Sequence, residues 1–146
     1  MNDSISQIQY KLISFNGKIH LISTDQELQM IAEALSSVKI LGFDTETKPS
    51  FKKGEVFKVA LLQLSTETDA YLIRLANVTQ YNIIKNIFES EQVVKVGLAI
   101  RHDLKQLKKI FNFEHKNFVE LQDLAKLKGL KNFGLKGMTE EVLNAT

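Results

Sequence analysis

Cysteine is absent from this chain, and proline occurs only once. The first absence excludes disulfide bridges, cysteine-ligated zinc and thiol chemistry. With one proline and only seven glycines, no Pro/Gly-rich linker can be drawn. Internal repeats and low-complexity tracts are missing as well. No apolar run is long enough to span a bilayer, and the polar start "MNDSISQIQY" lacks the apolar region of a signal peptide. The sequence therefore predicts no membrane association, and a reducing cytoplasm is the expected compartment.

What remains is ordinary for a folded chain. The 146 residues suit one domain with a single core, and 44% are hydrophobic against 25% charged. Residues 1–16 read as an N-terminal extension ahead of the first strand. The net charge of +2 is unevenly spread, because ten Lys/Arg and six Asp/Glu fall from Lys95 onward. A mildly basic half suits a phosphate-bearing partner, and suits plain solubility equally well.

Periodicity predicts alternating strands and helices. "GKIHLIS" (17–23) is a strand, and "TDQE" (24–27) a capping box opening a helix that runs to Ser37. "KILGFDTET" is the next strand, followed by strands over 56–66 and 70–75 that the polar "ETD" joins as an antiparallel hairpin. Helical spacing returns at 81–90 and again around Leu104, Leu107, Ile110 and Phe111, with "VVKVGLAI" (93–100) a buried strand between them. Residues 117–130 begin extended and turn helical, and a last helix starts within "GLKGMTEEVLNAT". This order predicts an α/β fold with a mixed sheet covered by helices.

Acidic pairs at i, i+2 recur, as Asp25/Glu27, Asp44/Glu46, Glu67/Asp69 and Glu89/Glu91. Asp25/Glu27 suits the positive end of a helix dipole, and the last two pairs read as polar connections. Asp44/Glu46 differs because it ends an apolar strand. Alternation places Leu41, Phe43 and Thr45 on one face and Gly42, Asp44 and Glu46 on the other. The two carboxylates then share a face with Cα atoms about 6.6 Å apart. Burying such like charges costs several kcal/mol each, which hard divalent cations such as Mg²⁺ or Mn²⁺ would offset. A solvated strand end explains the pair equally well. A further carboxylate is offered by Asp103, in the first turn of the helix after a buried strand, whereas Asp123 reads as a capping or hydrogen-bonding group.

The ordered set "LGFDTETKPSFKKGEVFKVALLQLST", "VVKVGLAIRHDLKQLKKIF" and "KNFVELQDLAKL" resembles the 3′–5′ exonuclease domains of the DEDD superfamily, in particular the ribonuclease D and Werner-syndrome-type branch. The resemblance implies a ribonuclease-H-like fold. It implies that Asp44, Glu46 and Asp103 are catalytic carboxylates holding two divalent cations, Mg²⁺ or Mn²⁺. The substrate it implies is the 3′ end of single-stranded DNA or RNA, cleaved to nucleoside 5′-monophosphates. Thr47 and Lys48 would meet the terminal nucleotide, Phe51 would stack on a base, and Lys52 and Lys53 would meet phosphates.

One departure is plain. The family's third motif, a Tyr or His followed four residues later by Asp, occurs nowhere in the sequence. By resemblance this is a domain cut short before its last carboxylate, expected to be weakly active or inactive as it stands. The alternative expectation is a nucleic-acid-binding or scaffold module that keeps the fold without turnover.

Overall fold

The computed structural model describes residues 9–47, 53 and 58–146. Its strands are β1 (Lys18–Ile22), β2 (Ile40–Thr47), β3 (Val59–Ser65), β4 (Asp69–Arg74), β5 (Val94–Gly97) and β6 (Phe118–Glu120). Its helices are α1 (Asp25–Ser36), α2 (Tyr81–Phe88), α3 (Ile100–Leu107), α4 (Leu121–Leu127) and α5 (Leu135–Leu143). The strands make one sheet in the order β1-β4-β3-β2-β5-β6. β2, β3 and β4 pair antiparallel, and the pairs β1–β4, β2–β5 and β5–β6 are parallel. The expected mixed α/β architecture is present, including the predicted hairpin.

Local chemistry accounts for the elements. Thr24 is extended at φ −138°, and its hydroxyl accepts the Glu27 N–H at 3.1 Å, so the predicted cap opens α1. Helical spacing then buries Leu28 and Leu35 of α1, Ile84, Ile87 and Phe88 of α2, and Ile100, Leu104 and Leu107 of α3. They meet Leu41, Phe43, Leu62, Leu64, Tyr71 and Ile73 from alternate positions of the strands in one apolar cluster. Each such side chain is worth about 1.5–3 kcal/mol on burial. Phe88 sits at the cluster's aromatic centre, with the Phe43, Phe111, Phe113 and Phe118 rings 5.0–6.2 Å away. On β1 and β2 the opposite sheet face is more open, with Ile19, Leu21 and Ile40 exposed.

Among the described residues one buried side chain is charged. Lys95 on β5 is fully buried, and its ammonium donates to the carbonyls of Ser90 (2.9 Å) and Val93 (2.7 Å). It also lies 5.1 Å from the centre of the Phe118 ring. Burial pushes its pKa down to about 8.

Two acidic pairs turn out to bind the fold together. The Asp25 carboxylate accepts the Thr79 N–H (2.8 Å), the Thr79 hydroxyl (2.6 Å) and the Gln80 N–H (3.1 Å), which ties α1 to the start of α2. These bonds hold its pKa below the usual carboxylate value. Asp69 is part of β4 rather than a connection. Its Oδ1 lies 2.7 Å from Nε2 of His20, a histidine that stacks on Tyr71. Among the described residues no helix is long and apolar enough to cross a membrane.

Candidate carboxylate site

The site begins where β2 loses one of its neighbours. The β2–β5 pairing runs from Ile40↔Val94 to Gly42↔Val96 and stops, while the β2–β3 pairing continues to Thr47. Past Gly42, one edge of β2 is therefore free of strand partners, and polar residues take over. Asp44, Glu46 and Thr47 are exposed there. Of the two readings of the acidic pair, the solvent-facing one describes its surroundings.

The chain leaving β5 turns directly over this free edge. Gly97 is needed for the approach, since a Cβ there would stand 2.6 Å from the Phe43 carbonyl oxygen and 2.6 Å from Ile100 Cγ2. Ala99 then adopts the left-handed conformation at φ 53°, uncommon for a residue with a side chain, and α3 starts at Ile100. Asp103, in the first turn of α3, is thereby brought to β2. Its Oδ1 accepts the Thr45 hydroxyl at 2.6 Å. Thr45 lies between Asp44 and Glu46, and its N–H donates to Asp44 Oδ1 at 2.8 Å.

Electrostatics follow from this placement. Burial pushes the half-buried Asp103 carboxyl above the usual aspartate value, and the Thr45 hydroxyl opposes the rise. The nearby negative charges of Asp44 and Glu120 push it further up. Asp44 and Glu120 thus both act on Asp103 through their charge. A divalent cation would relieve that repulsion, and carboxylate oxygens are the donors Mg²⁺ and Mn²⁺ prefer. The donors fit such ions in kind. In number they fall short, because among the described residues no group of three or more His, Asp or Glu side chains could hold a metal ion.

The other expected contacts divide. Thr47 lies at the exposed end of β2, on the carboxylates' strand, and Lys53 is exposed in a turn. Lys48, Phe51 and Lys52 lie outside the described residues. Asp123 is exposed in the first turn of α4, but the cap of that helix is Glu120. The Glu120 carboxylate also reaches across to the start of α3, accepting N–H bonds from Ala99 and Ile100, both at 2.8 Å. Sequence reasoning missed this residue. Its only signal is its place at a strand-to-helix junction, and nothing local says that the Gly97 loop lies alongside.

A family model described as 3′–5′ exonuclease matches residues 19–146. The mouse bifunctional 3′–5′ exonuclease/ATP-dependent helicase WRN is 32% identical over 117 residues, covering 77% of this chain and 8% of the mouse protein. An Arabidopsis thaliana 3′–5′ exonuclease is 29% identical over 150 residues, covering 92% of the chain and 51% of that protein. The chain thus spans about half or less of these curated relatives. Among solved structures, Escherichia coli RNase D, an exoribonuclease involved in structured RNA processing, superposes with a TM-score of 0.77 at 24% identity, covering 88% of this chain and 34% of that one. The fold is that of ribonuclease D and, with it, ribonuclease-H-like.

Proposed function

Because the chain belongs to the 3′–5′ exonuclease family of the DEDD superfamily, we propose that it hydrolyses phosphodiester bonds at the 3′ ends of nucleic acids, with Asp44, Glu46 and Asp103 holding two divalent cations. One observation supports this above the others. The first turn of α3 meets the free end of β2 through the 2.6 Å bond from Thr45 to Asp103, which sets Asp103 beside the strand segment that carries Asp44 and Glu46.

Each residue has a part that its surroundings allow. Asp44 and Glu46 are exposed and can turn their oxygens toward a ligand without giving up buried bonds. Asp103 is held from two directions, by Thr45 and by the start of α3, so its carboxylate is the least free of the three. Thr47, Lys48 and Phe51 are assigned to substrate by resemblance, and Thr47 is exposed at the end of β2, open to such a contact. When bound, Mg²⁺ or Mn²⁺ supplies a water nucleophile at neutral pH and charge stabilisation at the leaving oxygen. DNA and RNA ends are both accommodated by this reading, since no residue of the site is assigned to a base edge.

The 146 residues contain no Tyr-x-x-x-Asp or His-x-x-x-Asp. With one carboxylate fewer than the family's set, these residues alone should bind metal weakly and cut slowly. That same feature favours a second reading, a domain that binds nucleic acid without turnover.

A 5′-labelled single-stranded oligonucleotide, incubated with excess protein in Mg²⁺ or Mn²⁺, separates the two. A slow one-nucleotide ladder shortening from the 3′ end, lost in Asp44→Ala, upholds the exonuclease. Metal-dependent binding with no ladder favours the binding module, and neither binding nor cutting overturns both.

A further inference from the structure

We propose that Glu120 is a positioning residue for Asp103: by holding the left-handed turn at Ala99 and the first N–H of α3, its carboxylate sets where Asp103 projects over β2. The inference rests on the reading of Asp103 as part of the exonuclease site.

The geometry is specific. Oε1 of Glu120 accepts the Ala99 N–H at 2.8 Å and the Gln122 N–H at 3.1 Å. Oε2 accepts the Ile100 N–H at 2.8 Å. One side chain therefore ties the start of α3 to the start of α4. The first N–H groups of a helix have no partner within the helix, and at α3 the residue before the first turn is alanine, whose side chain cannot cap. Glu120 supplies the missing acceptor from a different strand. It is placed to do so because β5 and β6 pair in parallel with Gly97 opposite Glu120, two residues before Ala99.

Both oxygens are occupied by backbone N–H groups, which sets Glu120 apart from a cation ligand. Asp103 follows Ile100 by three residues, within the same helical turn, about 4.5 Å along the axis. Any tilt or fraying of the α3 start is thus passed to the Asp103 carboxylate. Groups bonded directly to a metal ligand change affinity by about 10–100-fold when removed. Glu120, acting through backbone, is expected at the low end of that range.

A comparison inside the same molecule separates positioning from plain stability. Glu141 binds backbone in the same style, accepting the Lys131 N–H at 2.9 Å and the Asn132 N–H at 3.1 Å. It anchors a loop before α5 and is not part of the carboxylate site. The experiment is an Mn²⁺ titration of the ¹⁵N- and ¹³C-labelled protein, followed by paramagnetic broadening at Asp44 and Asp103, with thermal melts alongside. The proteins compared are wild type, Glu120→Ala, Glu120→Gln, Glu141→Ala and Asp103→Asn.

Glu120→Ala should weaken Mn²⁺ binding about 10-fold, Glu120→Gln less because its amide oxygen still accepts, and Glu141→Ala not at all despite a similar loss in Tm. Equal Mn²⁺ affinity in wild type and Glu120→Ala would overturn the proposal while leaving the site reading intact. Absence of broadening in wild type would instead sink the site reading. Glu120 is then judged without metal, on the ¹³C shift of the Asp103 carboxyl. A larger change in Glu120→Ala than in Glu120→Gln, which loses the same charge but keeps an acceptor, upholds positioning, and equal changes or none overturn it.

Discussion

The two halves of β2 do different work with the same backbone. From Ile40 to Gly42 the strand pairs with β5, Gly42 pairs with β3 as well, and Leu41 and Phe43 on either side of it are buried in the core. From Asp44 to Thr47 it keeps β3 alone, and Asp44, Glu46 and Thr47 are exposed. The change comes where the β5 pairing ends, at Gly42↔Val96. The β5 pairing and the buried Leu41 and Phe43 anchor one end of the strand, so the other end, held by β3, can carry polar groups in a defined place without being buried itself. This is the familiar economy of α/β folds, in which sites form outside the carboxyl ends of parallel strands.

The contrast can be broken at either half. The largest effect is expected from Asp44→Ala, which should lower metal-dependent cleavage by about 100-fold or more. Its exposed position limits the loss of stability to about 0.5 kcal/mol, measured by urea denaturation. Leu41→Ala should do the reverse. It opens a cavity in the core and should cost about 2–5 kcal/mol, while Mn²⁺ affinity of the folded fraction stays unchanged.

Thr45→Val tests the seam between the halves. It keeps the shape of the side chain but removes the hydroxyl that Asp103 accepts, at a cost of about 1–3 kcal/mol. The Asp103 carboxyl should titrate higher in this variant, as followed by ¹³C NMR, because the bond that held its pKa down is gone. Asp103→Asn should show the smallest change, and one that depends on pH. The folded-state pKa of Asp103 is raised, so its contribution to stability is full below the ordinary aspartate value and lost as pH rises through the folded value. The asparagine variant should therefore gain on wild type at pH 7 and match it near pH 3, read as Tm at each pH.

Much of the fold was legible because its signals are local. The Thr24/Glu27 cap, the three-and-four spacing of Leu28, Ile31 and Leu35, and the alternation through Leu41 and Phe43 each lie within one element. Asp44, Glu46 and the helical start at Asp103 were legible for the same reason. The Thr45–Asp103 bond joins residues 58 apart, and the Glu120 bonds cross 20 and 21 positions. Such contacts depend on strand order, which periodicity does not carry. Asp25 shows the same limit. Its place in the first turn suggested the helix dipole, whereas its carboxylate is occupied by Thr79 and Gln80 from a distant loop.

Lys95 makes the fold itself a participant in acid–base chemistry, independently of the carboxylates. Its folded pKa is about 8, against about 10.4 for a lysine in an unfolded chain. Below pH 8 both states hold the proton. Between the two values the unfolded chain binds more protons than the native one, so stability rises with pH across that window. Near pH 9 each molecule that unfolds takes a proton from solution. The measured unfolding enthalpy there contains the ionisation heat of whichever buffer supplies it, and two buffers of different ionisation heat will disagree by that amount.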